Sequence, residues 1–164
     1  MEEWNEADFS ERMLVVSHEF AEEFNSTNSI RTEALLLTNY IEWQLKNILE
    51  YILESKSARN IARKTIAKIL EEKQVITSEI HSDVKRIFLI RDLFSHNLSR
   101  TEIEIETGIH IGKMYVAKFL KGRTTDWDNR NVYDKLADIF EVMSQYLERD
   151  YKILVMEKAK ARKS

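Results

Sequence analysis

Proline is absent from all 164 residues, and the three glycines, Gly108, Gly112 and Gly122, fall between positions 101 and 125. These residue types interrupt helices most effectively, proline by removing an amide donor and glycine through the entropy it loses on ordering. Outside that window nothing prevents continuous helix, and apolar spacing assigns it. A first helix near residues 5–24 carries Phe9, Met13, Val16 and Phe20 on one face and stops before the polar run NSTNS. A second, near 30–54, aligns Ala34, Leu37, Ile41, Leu45, Ile48 and Ile52, as the central helix of a core would. A third is expected near 57–72 with Ser57 as its N-cap, and a fourth from its cap Thr77 to about His96. The closing helix, about Asp128 to Lys158, presents Val132, Leu136, Ile139, Met143 and Leu147. Together they make a mainly α fold, a helical bundle.

The glycine window reads differently. In TEIEIETGIHIGKMYVAKFLKG, Ile103 and Ile105 alternate with glutamates, Thr107 and Gly108 offer a turn, and Ile109 and Ile111 alternate again. Period two is strand spacing, so a short β-hairpin near residues 101–120 is expected as an insertion in the bundle. The segment TGIHIGKMYVAKFLKG also resembles the helix-turn-helix of repressor-type DNA-binding domains. Its spacing tells against that reading, because the two glycines of that motif usually stand about two residues closer than Gly108 and Gly122. Glu104 takes the place of a small buried residue, and Glu102, Glu104 and Glu106 would oppose phosphates.

With 43% apolar residues the chain suits a single domain, 1–164, that buries roughly two-thirds of its surface. The absence of cysteine excludes disulfides, thiolate metal sites and a cysteine nucleophile. No apolar run approaches the ~20 residues of a membrane span, and the acidic start MEEWNEADFSERM does not resemble a signal peptide. A cytoplasmic protein without membrane association is expected. A net charge of -3 argues against a protein that coats duplex DNA. Positive charge is nonetheless local, in Lys113, Lys118, Lys121 and Arg123 and in a basic tail at about 158–164. Tyr115 stands between two of these lysines and could stack a base while they hold phosphates, so the five form a candidate RNA-contacting set.

Chemistry concentrates in IRDLFSHNLSR, residues 90–100. At about 100° per residue, Ile80, Val84, Ile87, Phe94 and Leu98 lie within about 60° of Arg91, which therefore leaves the helix through its apolar stripe. A guanidinium so placed must be paired, with Glu42 of the second helix as candidate, or aimed into a cleft or interface. Asp92 and His96 stand at i, i+4, so Asp92 can orient the imidazole and leave its other nitrogen for proton transfer near neutral pH. His96 lies about 140° from Arg91 round a regular helix. A helix end from Asn97 to Arg100 would let both side chains converge on one anion. His18, His81 and His110 show no metal-ligand spacing, and no metal or other cofactor is expected. The sequences G-x-x-x-x-G-K-[ST] and G-x-S-x-G do not occur, so nucleotide hydrolysis and serine-esterase chemistry lack their usual geometry.

In RDLFSH, Arg91 is followed by the polar Asp92 and, five positions on, by His96, behind the long apolar helix RTEALLLTNYIEWQLKNILEYIL. This pattern resembles the HEPN family of small helical bundles, over roughly residues 30–155. The resemblance implies a HEPN-like bundle and a homodimer whose two motifs face each other across a two-fold axis, often as a metal-independent RNA-cleaving site. On this chain it implies that Arg91 stabilises charge on the scissile phosphate, His96 moves protons and Asp92 positions one of them. RNA is the implied substrate, toxin or antiviral defence the implied biology, and an antitoxin or regulatory protein a further implied partner. The toxin branch paired with a nucleotidyltransferase often carries Tyr two residues after the histidine, where Leu98 stands here, which argues against that partnership. Other members keep the bundle as a non-catalytic binding or regulatory module for a protein or nucleic-acid partner.

Overall fold

The computed structural model describes residues 3–26, 29–96 and 99–163. Among these residues seven α-helices follow one another: α1 Glu6–Ser26, α2 Ile30–Leu53, α3 Arg63–Glu72, α4 Ser78–Ser95, α5 Arg100–Gly112, α6 Tyr115–Lys121 and α7 Val132–Lys163. Short 3-10 turns occupy Lys56–Asn60 and Trp127–Asn129. Among the described residues no helix is long and apolar enough to cross a membrane.

The second helix is central, as its stripe requires. Ser29 caps it by accepting the Thr32 amide at 3.3 Å, and Glu54 ends it in the left-handed region, φ 49°. It buries Ala34, Ile41, Leu45, Ile48 and Leu49 against α3, α4 and α7, at about 1.5–3 kcal/mol for each large aliphatic side chain. Thr38 tolerates the same surroundings because its hydroxyl donates to the Ala34 carbonyl at 2.8 Å. Glu50, only 1% exposed, is held by Arg12 of α1 at 2.9 Å and by Arg59 at 3.1 Å. On α1, Phe9 is buried and Met13 and Val16 are half-buried, while the Phe20 side chain lies outside the described part.

The third helix starts later than its sequence indicates. Ser57 is not its N-cap: Ser55 caps the 3-10 turn, accepting the Ser57 amide at 3.2 Å, and α3 opens only at Arg63. The buried Ala58 pins that turn to the core, so the chain must redirect before helix resumes. Thr77 caps α4 as expected, accepting the Ile80 amide at 3.2 Å.

No β-hairpin forms at 101–120, where α5 and α6 stand instead. Ser99 and Glu102 build a capping box, each side chain accepting the other's amide, at 3.2 and 3.3 Å. Once helix begins there, Ile103, Thr107 and Ile111 form a buried i, i+4, i+8 row, and Ile105 and Ile109 form a second, exposed row. Spacing of four is also spacing of two twice over, which is why the stretch mimics a strand. Gly108 faces Val132 of α7. Next, α6 is seeded by Asp83 of α4, whose carboxylate accepts the Tyr115 and Val116 amides at 2.8 Å each. Burial holds the Asp83 carboxyl above its usual range, and these two bonds offset only part of that rise.

The closing helix begins at Val132, after Trp127 is buried in its own 3-10 turn, and runs 32 residues. Through Lys163 the basic tail is thus helix. Lys158 donates to the Tyr51 carbonyl and pairs with Glu54 at 3.2 Å, and Arg162 pairs with Glu6 at 2.7 Å. An aromatic group of Trp4, Phe9, Tyr51 and Tyr151 closes that end of the bundle.

Candidate functional site

The C-terminal end of α4 carries the candidate chemistry. Arg91 emerges from the buried side of the helix, between Ile87, Phe88, Ile90 and Phe94, with its side chain 29% exposed. Its Nε is buried without a hydrogen-bond partner among the described residues, and Asp92 Oδ1 lies 3.9 Å from its Nη1. Glu42 does not pair with it, being turned to Lys46 at 3.3 Å. Asp92 does not hold the His96 ring either. Its carboxylate takes Arg63 at 3.1 Å, and what joins Asp92 to His96 is backbone, the His96 amide donating to the Asp92 carbonyl at 3.1 Å. His96 is the exposed C-cap of α4. Asn97, the expected supporting residue, lies outside the described residues, as does Leu98.

Three further arginines gather here, none of them singled out by the motif. Arg31 donates to the Phe94 carbonyl, Arg63 binds Asp92 and lies over the Phe88 ring at 5.1 Å, and Arg100 lies over Tyr133 at 5.8 Å while pairing with Glu104 at 3.1 Å. Each sits in the first turn of its helix, Arg31 in α2, Arg63 in α3 and Arg100 in α5. That is the wrong end for a cation, since the helix dipole is positive there. The position makes sense in the tertiary structure, because the last turn of α4 has exposed carbonyls and no basic residue of its own. A cleft of about 220 Å³ lined by Arg31, Phe94, Arg100, Ile103 and Tyr133 opens beside it. Burial first, and then Glu104, push the Tyr133 phenol up, so it stays protonated at neutral pH.

The candidate RNA-contacting residues share a different surface. Lys113, Tyr115, Lys118, Lys121 and Arg123 are all exposed, on α6 and its two flanks. Tyr115 is 48% exposed, Lys121 is paired with Asp128 at 3.2 Å, and the Arg123 guanidinium lies over Phe119 at 3.9 Å. Asp83, which anchors α6, stands eight positions before Arg91, so the two residues lie about 12 Å apart along α4. Behind α6, burial and then Arg86 hold the His110 imidazole below its usual range. His81 meets Glu71, and His18 pairs with Glu22 at 3.0 Å.

Compared with known proteins, the chain matches no family model, no curated protein and no solved structure.

Proposed function

We propose that this chain is a metal-independent RNA endonuclease of HEPN type, acting as a two-fold homodimer. The observation that carries the reading is Arg91: a guanidinium on a buried stem whose nearest carboxylate, Asp92, is already taken by Arg63. Its Nε is buried without a partner among the described residues, and a polar group left so costs stability unless something satisfies it. The positive surroundings formed with Arg31, Arg63 and Arg100 suit a phosphodiester. Arg91 and His96 diverge round α4, so the second copy is needed to bring a histidine to the phosphate that an arginine holds. Leu89 (48% exposed) on α4 and Ile105 and Ile109 on α5 supply apolar surface for that contact.

In this mechanism the 2′-hydroxyl of the RNA is the nucleophile. One His96 takes its proton, the His96 of the facing copy protonates the leaving 5′-oxygen, and the arginines hold the charge that develops on the phosphate. The products are a 2′,3′-cyclic phosphate and a 5′-hydroxyl. The test is purified protein with labelled RNA in EDTA, beside His96→Ala: cleavage by the first and none by the second is expected, with a 2′-deoxy substitution at the scissile position blocking the cut. An active His96→Ala protein, or cleavage abolished by chelation, removes the assignment.

A second reading is a non-catalytic module that binds nucleic acid. The exposed Tyr115, Lys118 and Lys121 favour it, since they rise from a helix that Asp83 holds rigidly in place. RNA that is bound but left uncut, with Lys118→Ala weakening it, would decide for this reading. A toxin or defence role, and an antitoxin or regulatory partner, belong to the nuclease reading alone.

A further inference from the structure

Among the described residues two cations reach the Asp92 carboxylate, and they meet the same oxygen. Arg63 Nη2 stands 3.1 Å from Oδ1, a hydrogen bond, while Arg91 Nη1 stands 3.9 Å from it, beyond hydrogen-bond length. Arg91 Nε has no partner either.

Arg63 stands where its own helix gains nothing from it. It opens α3, whose first turn holds no acidic residue and whose N-cap, Ala62, supplies no side-chain bond. A cation there opposes the helix dipole. What holds it is α4: the Phe88 ring at 5.1 Å and, four positions further along the same face, the Asp92 carboxylate.

Arg63, Asp92 and Arg91 together carry a net charge of +1, two cations against one anion. Without Arg63 the remaining pair is neutral. A shift of about 1 Å would then bring Oδ1 to hydrogen-bond distance from Arg91 Nη1, and a charge-assisted bond would form with no competing cation. An arginine so paired offers an incoming anion no net charge.

We propose that Arg63 is a positioning residue for the phosphate site: it draws Asp92 off Arg91 and so keeps Arg91 open to a phosphodiester. The inference rests on the nuclease reading for the identity of that anion. Arg63 acts through Asp92 and touches neither the RNA nor the reacting atoms. Asp92, the polar residue beside the arginine, is in this arrangement an internal competitor of the substrate phosphate.

The test is a mutant cycle on binding, read by fluorescence anisotropy with a labelled 2′-O-methyl oligoribonucleotide, which has no free 2′-hydroxyl and is therefore bound but not cut. Arg63→Ala should weaken binding about fivefold, the worth of one partly exposed ion pair. In the Asp92→Asn chain, where no carboxylate is left to close on Arg91, Arg63→Ala should change binding by less than about twofold. A residue that touches the phosphate, or that only holds α3 to α4, would cost the same in both backgrounds. Equal losses therefore overturn the proposal, as does no loss in the wild type or a wild-type chain that leaves the oligonucleotide unbound. Should the alanine variant unfold, Arg63→Gln removes the charge, keeps an aliphatic stem beside Phe88 and runs the same cycle. Cleavage of ordinary RNA by the wild type, measured alongside, reports on the nuclease reading separately. Binding that follows the cycle without cleavage leaves Arg63 in its role and removes the nuclease; cleavage without the cycle does the reverse.

Discussion

Arginines gather at two places in this bundle, and they do opposite things. At Glu50 the buried group is the carboxylate, and Arg12 and Arg59 reach in from α1 and the 3-10 turn to satisfy it at 2.9 and 3.1 Å. At the end of α4 the half-buried group on the apolar face is the arginine. Arg91 threads the apolar face, and the carboxylates nearby, Asp92 and Glu104, are already bound to Arg63 and Arg100. The first site ties α1, α2 and the 3-10 turn together through one fully buried carboxylate. The second gathers Arg63 and Arg91 about the half-exposed Asp92, with the Arg91 Nε left without a hydrogen-bond partner among the described residues.

The sharpest way to break this contrast is to compare activity with stability. His96→Ala should lower RNA cleavage by about 10²–10⁴-fold while its thermal unfolding stays unchanged. Arg91→Ala should lose cleavage too, with stability held or raised, because no paired carboxylate is orphaned. Glu50→Ala should do the reverse. Urea unfolding should show a loss of about 3 kcal/mol, since two guanidinium groups lose their common partner. If Arg91→Ala destabilises as much as Glu50→Ala, Arg91 is a structural residue and the contrast fails.

Asp83 sharpens the structural side, as a buried carboxylate that serves amides instead of arginines. Asp83→Ala strands the buried Val116 amide and the part-buried Tyr115 amide at the start of α6 and should cost about 2–3 kcal/mol by urea unfolding. Should the loss stay below about 0.5 kcal/mol, Asp83 does not hold α6 as described. The smallest effect belongs to Asp150, which burial raises from 3.8 to about 6 and which no cation hydrogen-bonds among the described residues. Its folded form binds a proton more tightly than the unfolded chain does. Stability should therefore fall as pH rises from about 4 to about 6. Asp150→Asn should gain about 1 kcal/mol at pH 7, the full shift being discounted for partial exposure, and nothing at pH 4. A pH-independent gain would trace the effect to packing.

What could be read from the sequence was what local spacing decides. The α2 stripe, the Thr77 cap and the emergence of Arg91 through an apolar face all follow from neighbours within two turns. The α5 segment failed for a local reason too. Isoleucines at 103, 105, 109 and 111 satisfy both periods, and the signal that separates them is Ser99 with Glu102, a capping box three residues apart. The surroundings of Arg91 were not legible, because Arg63 meets Asp92 across 29 positions and Arg31 meets Phe94 across 63. A trace of them exists nonetheless: an arginine in the first turn of a helix opposes its own dipole, and three helices here begin that way.

At about 1.5 Å per residue, the 32 residues of α7 make a rod of about 48 Å. Its far end grips Glu54 and Tyr51 of α2 and Glu6 of α1. Segments more than 100 positions apart in the sequence are thereby joined, and they should open as one unit. The slow-exchanging amides of α1 and those in the last turns of α7 should report a common opening free energy, and a charge reversal at Arg162 should loosen both together.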